Sequence, residues 1–454
     1  MLYKPKQTAQ CTGQQLKLQV DSVDYEANGI GRYQQKIAFI SGALPGEQVL
    51  ARVLEDKAGF IKARTEQVLN ASPLRVKPFC AHYNRCGGCQ LQHLTPADQR
   101  KLKQQGIDEL LRHQTGLAEL PWQPLLTGPE QGYRRKARIG VWFDKKQRKV
   151  VVGFRQAASK ELTAIAQCAV LSPVLAPVFA VLQQVVAKLP NPAIITHAEV
   201  IDAQGQAYVV LRHIAPLTHE QQQAFISAWP EAIWLGEAAA GELSYWQATA
   251  TAPTYRLAEQ QLTLAFTPDD FIQVNAALNQ QMVTQALDWL VPTTNDSILD
   301  LYAGMGNFSL ALAQRAKLVH GIEGLTKMVQ QANANASANG LTNAHFWQAD
   351  LHLPWGKAEW NRPIYQKIVL DPARAGAEGA VQQLVLLKPA QILYISCNAA
   401  TFARDSKVLL KAGYQLQKIA GIDMFPHTGH LELMALFIPK IIEDAGRRQV
   451  RGSP

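Results

Sequence analysis

Between residues 15 and 68 apolar and polar side chains alternate with the two-residue period of half-buried strands. Leu16-Lys-Leu-Gln-Val20, Lys36–Ile40, Val49–Leu54 and Phe60–Val68 carry the pattern, with Asn28-Gly29 and Gly31 read as a turn and Leu44-Pro-Gly46 as another. Five or so short strands in so few residues predict a small, OB-like β-barrel over residues 10–68. Ala97–Gln114 is charged and amphipathic and reads as a helix. Residues 75–265 mix short strands (Arg138–Phe143, Val150–Arg155, Ala207–Leu211) with helix around Val174–Lys188, which predicts a mixed α+β central domain without fixing its topology.

From residue 270 to 440 helical and extended patterns alternate. Val283, Ala286, Leu287 and Leu290 share one helical face. Strands are predicted at Ser297–Tyr302, Leu318–Glu323, His345–Gln348, Lys367–Leu370 and Ile392–Cys397, with helices between them ending at Gly340 and Gly413. Repeated βα units predict a Rossmann-like, seven-stranded and mostly parallel sheet. The last two strands, Tyr414–Ile419 and Leu431–Ile438, are joined by a loop alone, which predicts an antiparallel edge.

Composition narrows the class. The chain has 454 residues, 47% of them hydrophobic and 18% charged, which suits several folded domains and excludes a disordered or disulfide-stapled chain. No apolar run approaches the ~20 residues of a membrane span, and the first residues lack the apolar stretch of an export signal. A reducing, cytoplasmic setting is therefore expected, with the six cysteines as thiols or metal ligands. The net charge of +9 is unevenly spread. Residues 1–150 hold 24 Lys and Arg against 13 Asp and Glu, whereas the remainder is nearly balanced. Tyr133-Arg-Arg-Lys-Ala-Arg138 and Lys145-Lys-Gln-Arg-Lys149 are the densest clusters. A single cluster is ordinarily a solvated face; a surplus across a third of the chain points to a polyanion, and so to nucleic acid.

Ile298-Leu-Asp-Leu-Tyr-Ala-Gly-Met-Gly-Asn-Phe308 is a buried strand entering a glycine turn. Gly304 and Gly306 allow close approach of backbone to a ligand. Glu323, ending the next strand, is placed to hold ribose hydroxyls. The third glycine of a dinucleotide fingerprint is missing, and an Asp precedes the turn, so S-adenosylmethionine suits the site better than a pyrophosphate cofactor. Asp371-Pro-Ala-Arg374 and Ser396-Cys-Asn398 follow two further strands, and His427-Thr-Gly-His-Leu-Glu432 opens the last. A thiol and a carboxylate near a methyl donor suggest C5 methylation of uracil. That carbon is a poor nucleophile until a thiolate adds to C6, and a base must afterwards take the C5 proton. Cys397, expected to have a lowered pKa, and Glu432 fit these roles.

Asp269-Asp-Phe-Ile-Gln-Val-Asn275, the Asp300–Phe308 turn, Asp371-Pro-Ala-Arg-Ala-Gly376, Ser396-Cys-Asn398 and Phe425-Pro-His-Thr-Gly-His-Leu-Glu432 resemble the RNA uracil-C5 methyltransferase family. The resemblance implies Cys397 as nucleophile and Glu432 as base. It implies that Gln273, Tyr302, Asn307, Glu323, Asp350 and Asp371 bind S-adenosylmethionine, and that Phe271 stacks on a base swung out of the RNA. Cys80, Cys86, Cys89 and Cys168 form a second constellation. By ligand type alone zinc and an iron–sulfur cluster are equal candidates. The resemblance extends to the branch that modifies large-subunit ribosomal RNA, in which similar cysteines hold a [4Fe–4S] cluster and the N-terminal barrel resembles a TRAM domain. It implies 23S ribosomal RNA as partner and a monomeric enzyme. A uracil-C5 methyltransferase acting on tRNA or another rRNA site and a non-catalytic RNA-binding protein on the same scaffold are the alternatives. Residues 441–454 are read as a basic tail.

Overall fold

The computed structural model describes residues 11–238, 241–248 and 250–440; the expected basic tail at 441–454 lies outside them. Strands β1 (Gln15–Val23), β2 (Gly29–Tyr33), β3 (Lys36–Ser41), β4 (Gln48–Asp56) and β5 (Phe60–Asn70) close into a barrel in the order β1-β2-β3-β5-β4. The alternation seen in the sequence turns Leu18, Val20, Ala38, Ile40, Val49, Ala51, Val53, Ile61 and Ala63 into its core. One expectation fails here. Gly29 and Gly31 lie inside strand β2, not in a turn. A Cβ at Gly31 would stand 2.2 Å from the Gln19 carbonyl oxygen, so glycine is needed for close strand packing. The actual turn is Asp24–Asn28, where the Asp24 carboxylate accepts from the backbone N–H groups of Glu26 and Asn28.

Helix α1 (Pro96–Thr115) starts at Thr95, whose hydroxyl accepts from the Asp98 N–H, and ends at the left-handed Gly116. The central domain contains β6 (Lys136–Asp144), β7 (Lys149–Arg155), β8 (Leu162–Ala164), α2 (Val178–Val186), β9 (Ile195–Ala203), β10 (Gln206–His213), α3 (His219–Ala228), β11 (Ile233–Glu237) and β12 (Leu243–Tyr245). Its sheet runs β12-β11-β10-β9-β6-β7-β8, with α2 and α3 on one face over Val141, Val152, Val200 and Val209. A hairpin of β13 (Thr254–Leu257) and β14 (Leu262–Ala265) leads into α4 (Ala276–Leu290), where the four residues of the expected apolar face are all buried.

The C-terminal domain contains β15 (Ser297–Leu301), α5 (Ser309–Ala313), β16 (Leu318–Glu323), α6 (Thr326–Ala338), β17 (Ala344–Gln348), β18 (Lys367–Leu370), α7 (Glu378–Leu384), β19 (Gln391–Ser396), α8 (Ala399–Lys411), β20 (Tyr414–Ile422) and β21 (Glu432–Pro439). The sheet order is β17-β16-β15-β18-β19-β21-β20; the first five strands are parallel, and β21 is antiparallel to both neighbours. Its central strands are continuous apolar runs because helices cover both faces. Helix α1 packs on α8 of this domain rather than within the central sheet. Among the described residues no helix is long and apolar enough to cross a membrane.

Candidate active site and thiol cluster

The order of the C-terminal sheet brings the predicted chemistry to one edge. Tyr302, Glu323, Asp350, Asp371 and Cys397 all follow carboxyl ends of parallel strands, which is where ligands bind in such sheets. Glu432 reaches the same edge because β21 runs the opposite way. Ser396 pairs with Leu433, so one further step along the antiparallel register sets Cys397 opposite Glu432. The thiol lies within reach of Glu432, whose carboxylate is one of the charges acting on it.

The glycine turn after β15 is open, and Tyr302 within it is strained. Tyr302 has φ +64°, Gly304 +57° and Gly306 +98°. No atom stands within 4 Å of where a Cβ on Gly304 would be, whereas one on Gly306 would press against Leu310 at 3.0 Å. Glu323 accepts from the backbone N–H groups of Gly304 and Leu325, both at 3.1 Å, which ties the turn to β16. The Tyr302 hydroxyl is buried without a partner. An open glycine cradle and an orphaned buried hydroxyl fit a bound polar ligand. The Asn307 amide makes a reciprocal pair with Asn279 and accepts from the Tyr255 hydroxyl. Asp350 accepts from the His352 N–H. The Gln273 carbonyl is held at 2.8 Å by Arg135 of the central domain, and Phe271 two residues earlier is 73% exposed.

The electrostatics of Cys397 differ from the expectation of a lowered pKa. Burial pushes the thiol up to about 11, and the nearby Glu432 and Asp371 carboxylates reinforce this, against a weaker opposing pull from Arg374. Burial likewise pushes Glu432 up to about 8 and Asp371 to about 7. Asp300, hydrogen-bonded by Ser309, also rises to about 7 through burial. In the ligand-free site the sulfur therefore holds its proton more tightly than the carboxyls facing it.

The four other expected thiols lie within electrostatic reach of one another. Burial raises Cys86, Cys89 and Cys168, and the influence of Cys80, Cys86 and Cys168 adds to the rise at Cys89, to about 12. The Gly88 N–H donates to Cys86 Sγ at 3.4 Å. As placed, no group of three or more Cys, His, Asp or Glu side chains among the described residues is tight enough to hold a metal ion.

Several neighbours of the site had no role assigned from the sequence, although Arg374 and His430 lie within the Asp371–Gly376 and Phe425–Glu432 motifs. Arg374 and His430 line the Cys397 pocket, and so do Tyr25 and Glu26 from the barrel turn. The barrel turn packs so closely that a Cβ on Gly429 would stand 2.1 Å from the Glu26 carbonyl oxygen. The only hint was a glycine within the Phe425–Glu432 motif.

The fold and this edge define the class, and comparison with known proteins agrees. Residues 236–350 and 359–440 match the family model for tRNA (Uracil-5-)-methyltransferase, and residues 9–65 match that for the TRAM domain. A solved tRNA (uracil-54, C5)-methyltransferase from Pyrococcus abyssi, in complex with S-adenosyl-L-homocysteine, shares the fold with a TM-score of 0.71 at 22% identity, covering 93% of this chain and 100% of its own. The chain is thus an S-adenosylmethionine-dependent RNA (uracil-C5) methyltransferase with an N-terminal TRAM barrel. It is 40% identical to the Vibrio campbellii 23S rRNA (uracil(1939)-C(5))-methyltransferase RlmD over 96% of this chain and 99% of that one, and 43% identical to the Aeromonas hydrophila enzyme over 93% and 96%. The chain belongs to the RlmD family.

Proposed function

We propose that this chain methylates C5 of one uracil in 23S ribosomal RNA through a covalent bond between Cys397 and C6. The observation that carries the reading is the antiparallel step that sets Cys397 opposite Glu432 at the edge bearing the cofactor turn. Once deprotonated, the Cys397 sulfur adds to C6 and makes C5 nucleophilic. S-adenosylmethionine, when bound, supplies the methyl group that C5 takes. Glu432 then accepts the C5 proton as the C6–S bond breaks and the sulfur leaves. A carboxyl pushed up to about 8 suits this task, because its anion is a stronger base than an ordinary carboxylate. Tyr302, Glu323, Asp350, Asp371, Gln273 and Asn307 hold the cofactor around the glycine turn, Asn307 through the Asn279 pair that fixes its amide. Exposed Phe271 provides the face on which the extruded base stacks.

The barrel and the β6–β7 hairpin grip the RNA. At the hairpin tip Lys145, Lys146, Arg148 and Lys149 are exposed beside Trp142, and none is in an ion pair among the described residues. A cation cluster with an exposed indole suits phosphates and a stacked base. Cys80, Cys86, Cys89 and Cys168 hold a [4Fe–4S] cluster in this reading. The donor set fits, being four thiols with no carboxylate or imidazole among them and with an N–H aimed at one sulfur. Iron–sulfide edges space cysteine ligands more widely than one ion does, which suits thiols that sense each other without closing on a point. The cluster's part is to order the loop and help the RNA dock.

RNA carrying 5-fluorouracil at the target position tests the chemistry, because fluorine cannot leave as a proton does. A denaturation-stable protein–RNA adduct is expected with the wild type and S-adenosylmethionine, and none with Cys397→Ala. An adduct that survives Cys397→Ala overturns the assignment.

A further inference from the structure

Glu432 is delivered by a loop, Asp423–Leu431, that would be free to wander if nothing held it. Two side chains of α1, Gln99 and Lys103, lie four residues apart on one helical face and are both fully buried. The Lys103 ammonium donates to Asp423 Oδ1 at 2.5 Å and to the His430 carbonyl at 3.1 Å, so it grips both ends of the loop. Gln99 grips the middle. Its Oε1 accepts from the His427 N–H at 2.9 Å, and its amide nitrogen lies 3.1 Å from His427 Nδ1. The same nitrogen donates to the carbonyls of Leu91 and Leu94, which joins the loop to the segment just beyond Cys89. That segment holds His427 from its other side, with the N–H groups of Gln90 and Leu91 both donating to the His427 carbonyl. His427 itself sits at φ +68°, a strained conformation for a residue with a side chain.

A buried lysine–aspartate pair is an expensive way to pack a helix. Apolar residues of similar volume commonly serve stability as well or better. What an ion pair and an amide add is a unique register for the loop they hold.

We propose that Gln99 and Lys103 are positioning residues that fix Glu432 for removal of the C5 proton. They touch no reacting atom. The inference rests on the assignment of Glu432 as the base. Without the clamp, Cys397 still adds to the ring and the methyl group still transfers, because β19 is also held by β18 and the glycine turn by Glu323. Proton removal and departure of the sulfur slow down, so the methylated adduct accumulates.

The test follows a single turnover on a 23S ribosomal RNA fragment with an ordinary uracil, quantifying covalent protein–RNA complex under denaturing conditions together with release of methylated RNA. Three variants are compared with the wild type: Gln99→Met, the paired replacement Lys103→Met with Asp423→Leu, and Glu432→Gln. The paired replacement removes the lysine half of the clamp without leaving Lys103 or Asp423 as a buried unpaired charge, so it keeps the question decidable if Gln99→Met does not fold. The expected result is accumulated adduct and release slowed at least tenfold in the clamp variants, with adduct formation on 5-fluorouracil RNA within about twofold of the wild type. Wild-type release from a folded paired variant overturns the inference while leaving the base assignment intact, provided Glu432→Gln accumulates adduct. If Glu432→Gln releases product normally, the base assignment fails and takes the inference with it.

Discussion

Cys397 and Cys89 are both thiols that keep their protons because they are buried, yet their surroundings prepare them for different fates. Around Cys397 the protein has placed carboxyls, Glu432 and Asp371, and one opposing cation, Arg374. Around Cys89 it has placed other thiols and the Gln92 amide. The first arrangement surrounds the sulfur with groups that exchange protons, which the proposed cycle of ionisation and departure requires. The second offers no such acceptor, and thiols gathered this way lose their protons when a metal centre takes their place. Burial alone thus says nothing about a cysteine's role; the kind of neighbour does.

The sharpest way to break this contrast is to remove each sulfur in turn. Cys397→Ala is expected to lower the methylation rate more than about a thousandfold, as loss of a covalent nucleophile does. It should leave the visible absorbance of the reconstituted protein and its thermal stability unchanged. Cys89→Ser is expected to do the reverse. It should abolish that absorbance and lower Tm by about 5 °C or more, because a site bound only in the folded state contributes to folding. Its activity loss should be the smaller of the two and show mainly in RNA affinity. Equal rate losses with no change in absorbance would erase the distinction.

The carboxyls give a second contrast, in stability against pH. Glu432, Asp371 and Asp300 bind protons more tightly in the folded chain, at about 8, 7 and 7, than in the unfolded chain near 4. Their contribution is therefore most favourable below pH 4 and is lost as pH rises through 7 to 8. Relative to the wild type, Glu432→Gln should gain Tm progressively between pH 5 and pH 9, as seen in melting curves of the ligand-free protein. Cys89→Ser removes no such carboxyl, so its Tm difference from the wild type should not follow this trend. A flat difference for Glu432→Gln would mean that its carboxyl is not held protonated by burial.

The two regions also differ in how far the sequence discloses them. The C-terminal sheet was legible almost strand for strand, because its buried strands are short apolar runs punctuated by glycine at helix ends such as Gly340 and Gly413. The residues at strand ends then fell on one edge by topology alone. The central sheet was not legible, since β9 joins β6 across fifty residues of intervening chain and no local pattern encodes that pairing. Strand β2 was misread for a related reason, its glycines serving a close strand contact and not a turn. The Cys397 thiol is raised and not lowered in the ligand-free chain because a sequence names the neighbouring cation, Arg374, but neither the burial of the sulfur nor the approach of Glu432 and Asp371 that outweigh it. The clamp was visible only as polar residues, Gln99 and Lys103, within the buried stripe that includes Leu102 and Ile107.

Arg374 offers the finest adjustment of the contrast. It is the cation that lowers both Cys397 and Glu432, and its guanidinium lies 3.4 Å from His430 Nε2 at the pocket wall. Arg374→Met should move both groups further up, so alkylation of Cys397 by iodoacetamide should need a higher pH than in the wild type, as resolved by mass spectrometry of the modified peptide. A partly solvated charge of this kind is worth no more than about 1 kcal/mol, so methylation at neutral pH should fall by about fivefold at most. In metal-free protein Cys89, whose thiol is governed by burial and by other thiols, should keep its alkylation profile in the same variant. An equal shift at both sulfurs would mean that the substitution loosens the whole molecule, whereas a shift confined to Cys397 would show that one guanidinium tunes the nucleophile against the carboxyls that hold its proton in place.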